Sequence, residues 1–365
     1  MRTVRLGASV AAVALTAALT ACASLPASTP SGGCPGGWDV GVVWSSQTAP
    51  ASEIEFLSGE THVGRRTLAY QGLEAAPAGA PVVSGADVWL VANGNADRDK
   101  STVLRYSTLT CAATPFAVPE QLVLAVAAGT DFFVTSNTAN GAAEVRRRTA
   151  SGTLTAETKV PGAMLTRLVV GSGVVYALGS DMESGGSILI EFDPATLAAL
   201  RRIELAGTSD AVFAAVLRGD ALYYPRTVSR EGAEGTELGK VGVGSLAQSS
   251  VALGRPAPLL MVEGGDALLI GHTFINPGFR PMSDYRSVSR YQPATGAVDA
   301  VDTGVGIQAM AWADGVLYVL GTGASGDTLL VARDASTLAP LWSTPVTSPG
   351  DGHHYVAALI ASAAG

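Results

Sequence analysis

Charge, aromatic rings and histidine are all scarce in this sequence. Asp, Glu, Lys and Arg make up 15% of its 365 residues and Phe, Trp and Tyr 6%, against 47% hydrophobic residues. The four histidines stand at positions 62, 272, 353 and 354. Zinc needs three or four ligands, and adjacent side chains of an extended segment point to opposite faces. This scatter therefore argues against a metal site built from neighbouring residues. No serine sits in a G-x-S-x-G elbow, which removes the nucleophile signature of the α/β-hydrolases. No helical periodicity separates the apolar runs, and 43 glycines and 19 prolines weigh against a helical protein. Beyond the N-terminal segment, no stretch is long and apolar enough to span a bilayer as a helix.

That N-terminal segment has its own pattern. Arg2 and Arg5 form a short cationic start, and Leu6 to Ala21 is uncharged and dominated by Ala, Val and Leu. The run is shorter than the ~20 residues of a membrane span and fits the core of a secretory signal peptide. It ends in Leu19-Thr20-Ala21-Cys22, which resembles the lipobox of bacterial lipoproteins. The resemblance implies cleavage before Cys22 and acyl chains such as palmitate on the mature N-terminus, and two chains hold a membrane far more firmly than one. The competing reading is an ordinary secretory signal with a chance cysteine. The expected organisation is a signal peptide over 1–21, a flexible Pro/Ser/Gly tether over 22–35 and a folded domain over 36–365.

Loss of 1–21 takes away two arginines and no acid, leaving 21 basic against 31 acidic residues, a net of −10. An acidic body is a poor match for nucleic acid or anionic headgroups. Contact with the cell membrane is thus expected through the lipid anchor alone, with the domain outside the cytoplasm. In that oxidising compartment Cys34 and Cys111 are disulfide candidates; two unpaired thiols are the alternative.

A repeat runs through the body: an apolar run, a Gly/Asp turn, and a second apolar run. The first residues after each turn are Val88, Phe132, Val174, Ala221, Ala267 and Val316, spaced by 44, 42, 47, 46 and 49. Gly-Asp and Asp-Gly between apolar runs are tight-hairpin signals because these turns need positive φ. The runs are near-continuous rather than alternating, as in strands covered on both faces. Further strands follow, for example over 187–193 and 201–205. Four antiparallel strands per period is the blade of an all-β propeller. The ends supply the last blade. Residues 355–365 read as a first strand with no second, and Val40, 48 residues before Val88, opens a second strand with no first. The C-terminal strand is therefore expected to complete the N-terminal blade and close a seven-bladed ring, which removes an open sheet edge. Six or eight blades would require one misread unit.

Phrases such as GSGVVYALGS…ILIEFDPATLAALRRIEL (171–205) and ADGVLYVLG…LLVARDASTLAPLW (313–342) resemble YVTN-type and quinoprotein-like propeller repeats. The resemblance implies a propeller of the bacterial cell envelope. It does not choose between scaffolds and enzymes on that fold. The adjacent cysteines that many quinone-dependent propeller dehydrogenases carry are absent here.

Local motifs are weighed against this architecture. Asn93, Asn95, Asp97 and Asp99 alternate oxygen side chains as a calcium loop does. Arg98 stands where such a loop needs glycine and Leu104 where it needs glutamate, so a solvated loop is favoured and no cofactor is expected. Gly321 to Gly326 matches a dinucleotide fingerprint, but a strand rather than a helix is expected after it. Arg218-Gly219-Asp220 occupies a hairpin position and reads as a turn.

The long connections between second and third strands remain. Those over 225–237 and 271–287 carry Arg226, Arg230, Phe274, Phe279, Arg280, Asp284, Tyr285 and Arg286. Aromatics with arginine make binding hot spots, and long loops on a rigid scaffold commonly carry function. The expected function is a lipid-anchored binding or scaffold module for a protein, peptide or envelope polymer. The alternative is a propeller enzyme, a hydrolase, lyase or dehydrogenase, with its site at the mouth of the central channel.

Overall fold

The computed structural model describes residues 33–75, 80–94, 101–120, 122–138, 141–206, 212–226, 236–273, 285–350 and 354–362. They form 28 strands in seven four-stranded antiparallel sheets. Blade 1 holds β1 (Val40–Ser46), β2 (Ser52–Ser58) and β3 (Thr61–Leu68), with β28 (His354–Ala361) as its innermost strand. Blade 2 is β4 (Val82–Ser84), β5 (Asp87–Ala92), β6 (Ser101–Ser107) and β7 (Ala113–Val118). Blade 3 is β8 (Val123–Ala128), β9 (Phe132–Asn137), β10 (Ala142–Arg148) and β11 (Leu154–Pro161). Blade 4 is β12 (Ala163–Gly171), β13 (Val174–Asp181), β14 (Ser187–Phe192) and β15 (Ala199–Glu204). Blade 5 is β16 (Val216–Arg218), β17 (Ala221–Arg226), β18 (Glu237–Gly242) and β19 (Gln248–Ala252). Blade 6 is β20 (Pro258–Gly264), β21 (Ala267–His272), β22 (Ser287–Tyr291) and β23 (Val298–Asp302), and blade 7 is β24 (Gly306–Ala313), β25 (Val316–Thr322), β26 (Thr328–Asp334) and β27 (Pro340–Pro345).

The hairpins follow from turn chemistry. Gly171 pairs with Val174 across Ser172 and Gly173, whose φ values are 53° and 72°. Positive φ at both central residues is a type I′ pattern, whose twist suits a two-residue hairpin. The third and fourth strands meet through a different device. Asp193 Oδ1 accepts the amides of Ala195 and Thr196 and the Thr196 hydroxyl, and Asp334 repeats this with Ser336 and Thr337. The side chain thereby satisfies the turn's backbone. The following Leu197 and Leu338 take positive φ yet are buried, so packing holds them there. These bonds hold the Asp193 and Asp334 carboxyls below the usual carboxylate range, Asp334 at about 2.

Burial falls from the middle of each blade outward. Every residue of β1, β14 and β21 is buried, whereas β15 alternates between exposed and half-buried. Middle strands are covered on both faces and outermost strands are not, which explains the near-continuous apolar runs in the former. Seven hydrophobic clusters fill the molecule, and each straddles one pair of neighbouring blades. The cluster between blades 7 and 1 joins Tyr318 and Leu330 to Val42, Leu57 and Leu359. The ring is closed by β28, which pairs with β1 from Ser46↔His354 to Val40↔Ala361. The seven-bladed β-propeller expected from the repeat is thus present, with its terminal strand in the opening blade. Cys34 and Cys111 are bonded, with Cα atoms 5.0 Å apart, and tie the start of the domain to the β6–β7 turn.

Candidate functional site

The innermost strands run from the face of the long connections toward the face of the hairpins. Their C-terminal halves enclose a central cavity of about 600 Å³. All seven blades contribute to it, among them Val83, Ala128, Val170, Leu217, Val262, Met310, Trp312 and Leu359. Most of the lining side chains are apolar. Three charged residues line the cavity: Arg167, Glu263 and Asp314. Glu263 and Asp314 are exposed near the hairpins, on the rim, while Arg167 sits mid-strand in β12.

Arg167 owes its position to a bulge. The β12–β13 register shifts between Leu165 and Arg167, so Thr166 is the extra residue. Four other innermost strands bulge likewise, and the residue that resumes pairing is Ala125, Leu260, Ala309 or Ala358. The repeat therefore places an apolar residue there in four blades and an arginine in blade 4. Burial lowers the Arg167 pKa to about 10, which leaves it charged at neutral pH. Sequence reasoning missed this residue; its one signal was a lone charge inside the apolar run Met164 to Val170.

The expected binding face is only partly within the described residues. Phe274, Phe279, Arg280, Asp284 and Arg230 lie outside them, and so do Cys22, Asn95, Asp97, Asp99 and His353. The ends of the two long connections are described and are tied down. Arg226 pairs with Glu237 at 2.5 Å, bridging β17 and β18, and Arg286 pairs with Asp302 at 3.0 Å. Tyr285 is buried, and its carbonyl accepts the Ile307 amide at 3.1 Å. It anchors the loop rather than offering a ring to a partner, because its backbone is stitched to blade 7. Thr273 does the same at the other end, donating to the Ile307 carbonyl at 2.7 Å.

Asn93 is consumed by structure. Its Oδ1 accepts the Ser101 hydroxyl at 2.6 Å and the Val123 amide at 2.9 Å, and its Nδ2 donates to Glu74 and to the Val123 carbonyl. A carbonyl oxygen with two donors has no lone pair left for calcium. Gly321 to Gly326 covers the end of β25 and the turn to β26, with a strand rather than a helix after it. Arg218 donates to the Gly265 and Ala267 carbonyls, a clamp between blades 5 and 6, and Gly219-Asp220 is the hairpin turn. His62 contacts Glu55, and His272 lies buried in blade 6. Among the described residues no three His, Cys, Asp or Glu side chains converge as a metal site would require, and no helix is long and apolar enough to cross a membrane.

No protein-family model matches the chain. No curated protein matches it either. Solved structures do. The dihydro-heme d1 dehydrogenase NirN is 13% identical over 92% of this chain and 78% of its own, with a TM-score of 0.53. The apocarotenoid oxygenase of Synechocystis is 9% identical over 90% and 94%, with a TM-score of 0.55. A chain of the mitotic checkpoint complex is 14% identical over 77% and 82%, with a TM-score of 0.55. At such identities the likeness is one of fold. Its members include enzymes and parts of protein assemblies, so the class is the β-propeller and the activity must be argued from this chain's own residues.

Proposed function

We propose that the chain is a lipid-anchored, extracytoplasmic binding module that recognises a protein, peptide or envelope polymer on the face of its long connections. The observation that carries the reading is the fixed base of those connections. Arg226–Glu237, Arg286–Asp302, buried Tyr285 and the Thr273–Ile307 bond hold the chain where each loop leaves its blade. Rigid bases lower the ordering cost that a loop incurs on binding. The lipobox-like Leu19 to Cys22, the tether over 22–35 and the YVTN- and quinoprotein-like repeats support a place at the outer side of a cell membrane. The described cavity lining contains no histidine, cysteine or lysine, the commoner nucleophiles and bases, which supports binding over turnover.

The test is capture from detergent-solubilised membranes, using the whole chain and a variant in which residues 274–284 are replaced by a short Gly/Ser linker. A partner taken by the first and lost by the second is expected. Identical capture by both would remove the long-connection face from the account.

A further inference from the structure

Arg167 is half-buried, with its Nε fully enclosed, and it is the one cation lining the cavity that the fold does not use. Arg148 is held by Glu120, Arg290 by Asp266 and Asp299, and Arg333 by the carbonyls of Leu338 and Asp302. Arg167 makes no hydrogen bond or ion pair, and its Nε is buried without an acceptor. Breaking a buried pair by removing one partner is strongly destabilising, because a charge is left uncompensated. An apolar residue at this position would avoid that penalty, and four other blades place one there.

We propose that the central cavity binds a small organic carboxylate, with Arg167 as its countercharge and the apolar walls around its hydrocarbon part. A guanidinium fork matches a carboxylate in a bidentate pair, and that pairing strengthens where water is excluded. Of the walls nearest the hairpin face, Val83, Val170, Leu217 and Met310 have no polar side-chain atom, and Trp312 offers a single unpartnered indole N–H, too little for a ligand charged all round. Inorganic phosphate therefore fits poorly, whereas an acid on an aliphatic or aromatic body satisfies both parts of the site. About 600 Å³ falls within the range of small-molecule pockets. Glu263 and Asp314 on the rim would repel a second anionic group, which restricts the ligand to one acid at its inner end. This site is separate from the long-connection face, so either can fail alone.

The experiment is calorimetric titration of the full chain, carrying Cys22→Ala so that no detergent competes, with phenylbutyrate, octanoate, phenylbutyramide and inorganic phosphate. Saturable binding of at least one carboxylate at millimolar concentration or below is expected, with the amide at least tenfold weaker and phosphate weaker still. Arg167→Met should lose carboxylate binding by tenfold or more while melting no lower than the parent, and Arg167→Lys should fall between the two. Equal binding of acid and amide, no binding of either acid, or full affinity in Arg167→Met would each overturn the assignment. The acid–amide comparison uses the parent alone, so it stands even if a variant fails to fold.

Discussion

His272 is locked as a neutral imidazole by Ser289. The Pro256 carbonyl can only accept, so Nδ1 at 2.7 Å carries the proton; Nε2 then accepts the Ser289 hydroxyl at 2.8 Å. Burial and nearby Arg255 disfavour the imidazolium, and the His272 pKa falls to about 4. A histidine whose pKa is lowered on folding takes up its proton first in the unfolded chain. Its contribution is therefore complete above about pH 6.5 and is lost as pH falls toward 4. At about 1.4 kcal/mol per pH unit the loss amounts to about 3 kcal/mol. Denaturant titrations between pH 7 and 4 should show this loss in the parent and a flatter profile in His272→Gln. Parallel profiles for the two would show that His272 does not control the acid limb.

Gly321 closes the VLYVLG phrase beside the β24 bulge, and a Cβ there would lie 2.2 Å from the Gly306 carbonyl oxygen. The obstacle is backbone, so no side-chain rotation relieves it. Gly321→Ala should cost about 1–3 kcal/mol or more, as overpacking of a tight interior does. Gly36→Ala is the control, because nothing lies within 4 Å of its added carbon. Equal melting temperatures for the two variants would show that the bulge has room to relax.

The Cys34–Cys111 bond spans 77 residues of sequence. Chain-entropy reasoning assigns a loop of that length roughly 4 kcal/mol of stabilisation. Cys111→Ser should lower stability by up to that amount, and a reducing agent should lower the parent to the same value. A variant as stable as the oxidised parent would show that the N-terminal segment needs no staple.

The proposed lipid anchor rests on Cys22 and the residues before it. Cys22→Ala should move the protein from the membrane fraction to the soluble extracytoplasmic fraction, and intact-mass measurement of the parent should show the acyl chains. Retention of the variant in membranes would point to another means of attachment.

The architecture was readable because its determinants are local and repeated. Gly173, Gly219, Gly265 and Gly315 sit where hairpins need positive φ, and each is flanked by apolar runs. In the structure, aspartates at 193 and 334 fix the outer turns through their own side chains, a device as local as the hairpin glycines. The site was less readable for the opposite reason. Tyr285, expected on the binding face, is buried, because its backbone is bonded to blade 7. Nothing local to Asn93 in sequence reveals that Val123 and Ser101 occupy its oxygen. Arg167 stands out only once its counterparts in four other blades are seen to be apolar and its side chain is seen to be unpaired.

Both the cavity and the long-connection face exist only in a closed ring, and closure depends on β28. Ser362 donates its amide to the Asp39 carbonyl at 2.8 Å at the end of that ladder. Hydrogen exchange followed by mass spectrometry tests this directly. Amides of residues 354–361 should exchange as slowly as those of the equivalent innermost strand, residues 306–313. Exchange of the C-terminal peptide at the rate of an unstructured chain, with 306–313 still protected, would contradict the closed seven-bladed ring.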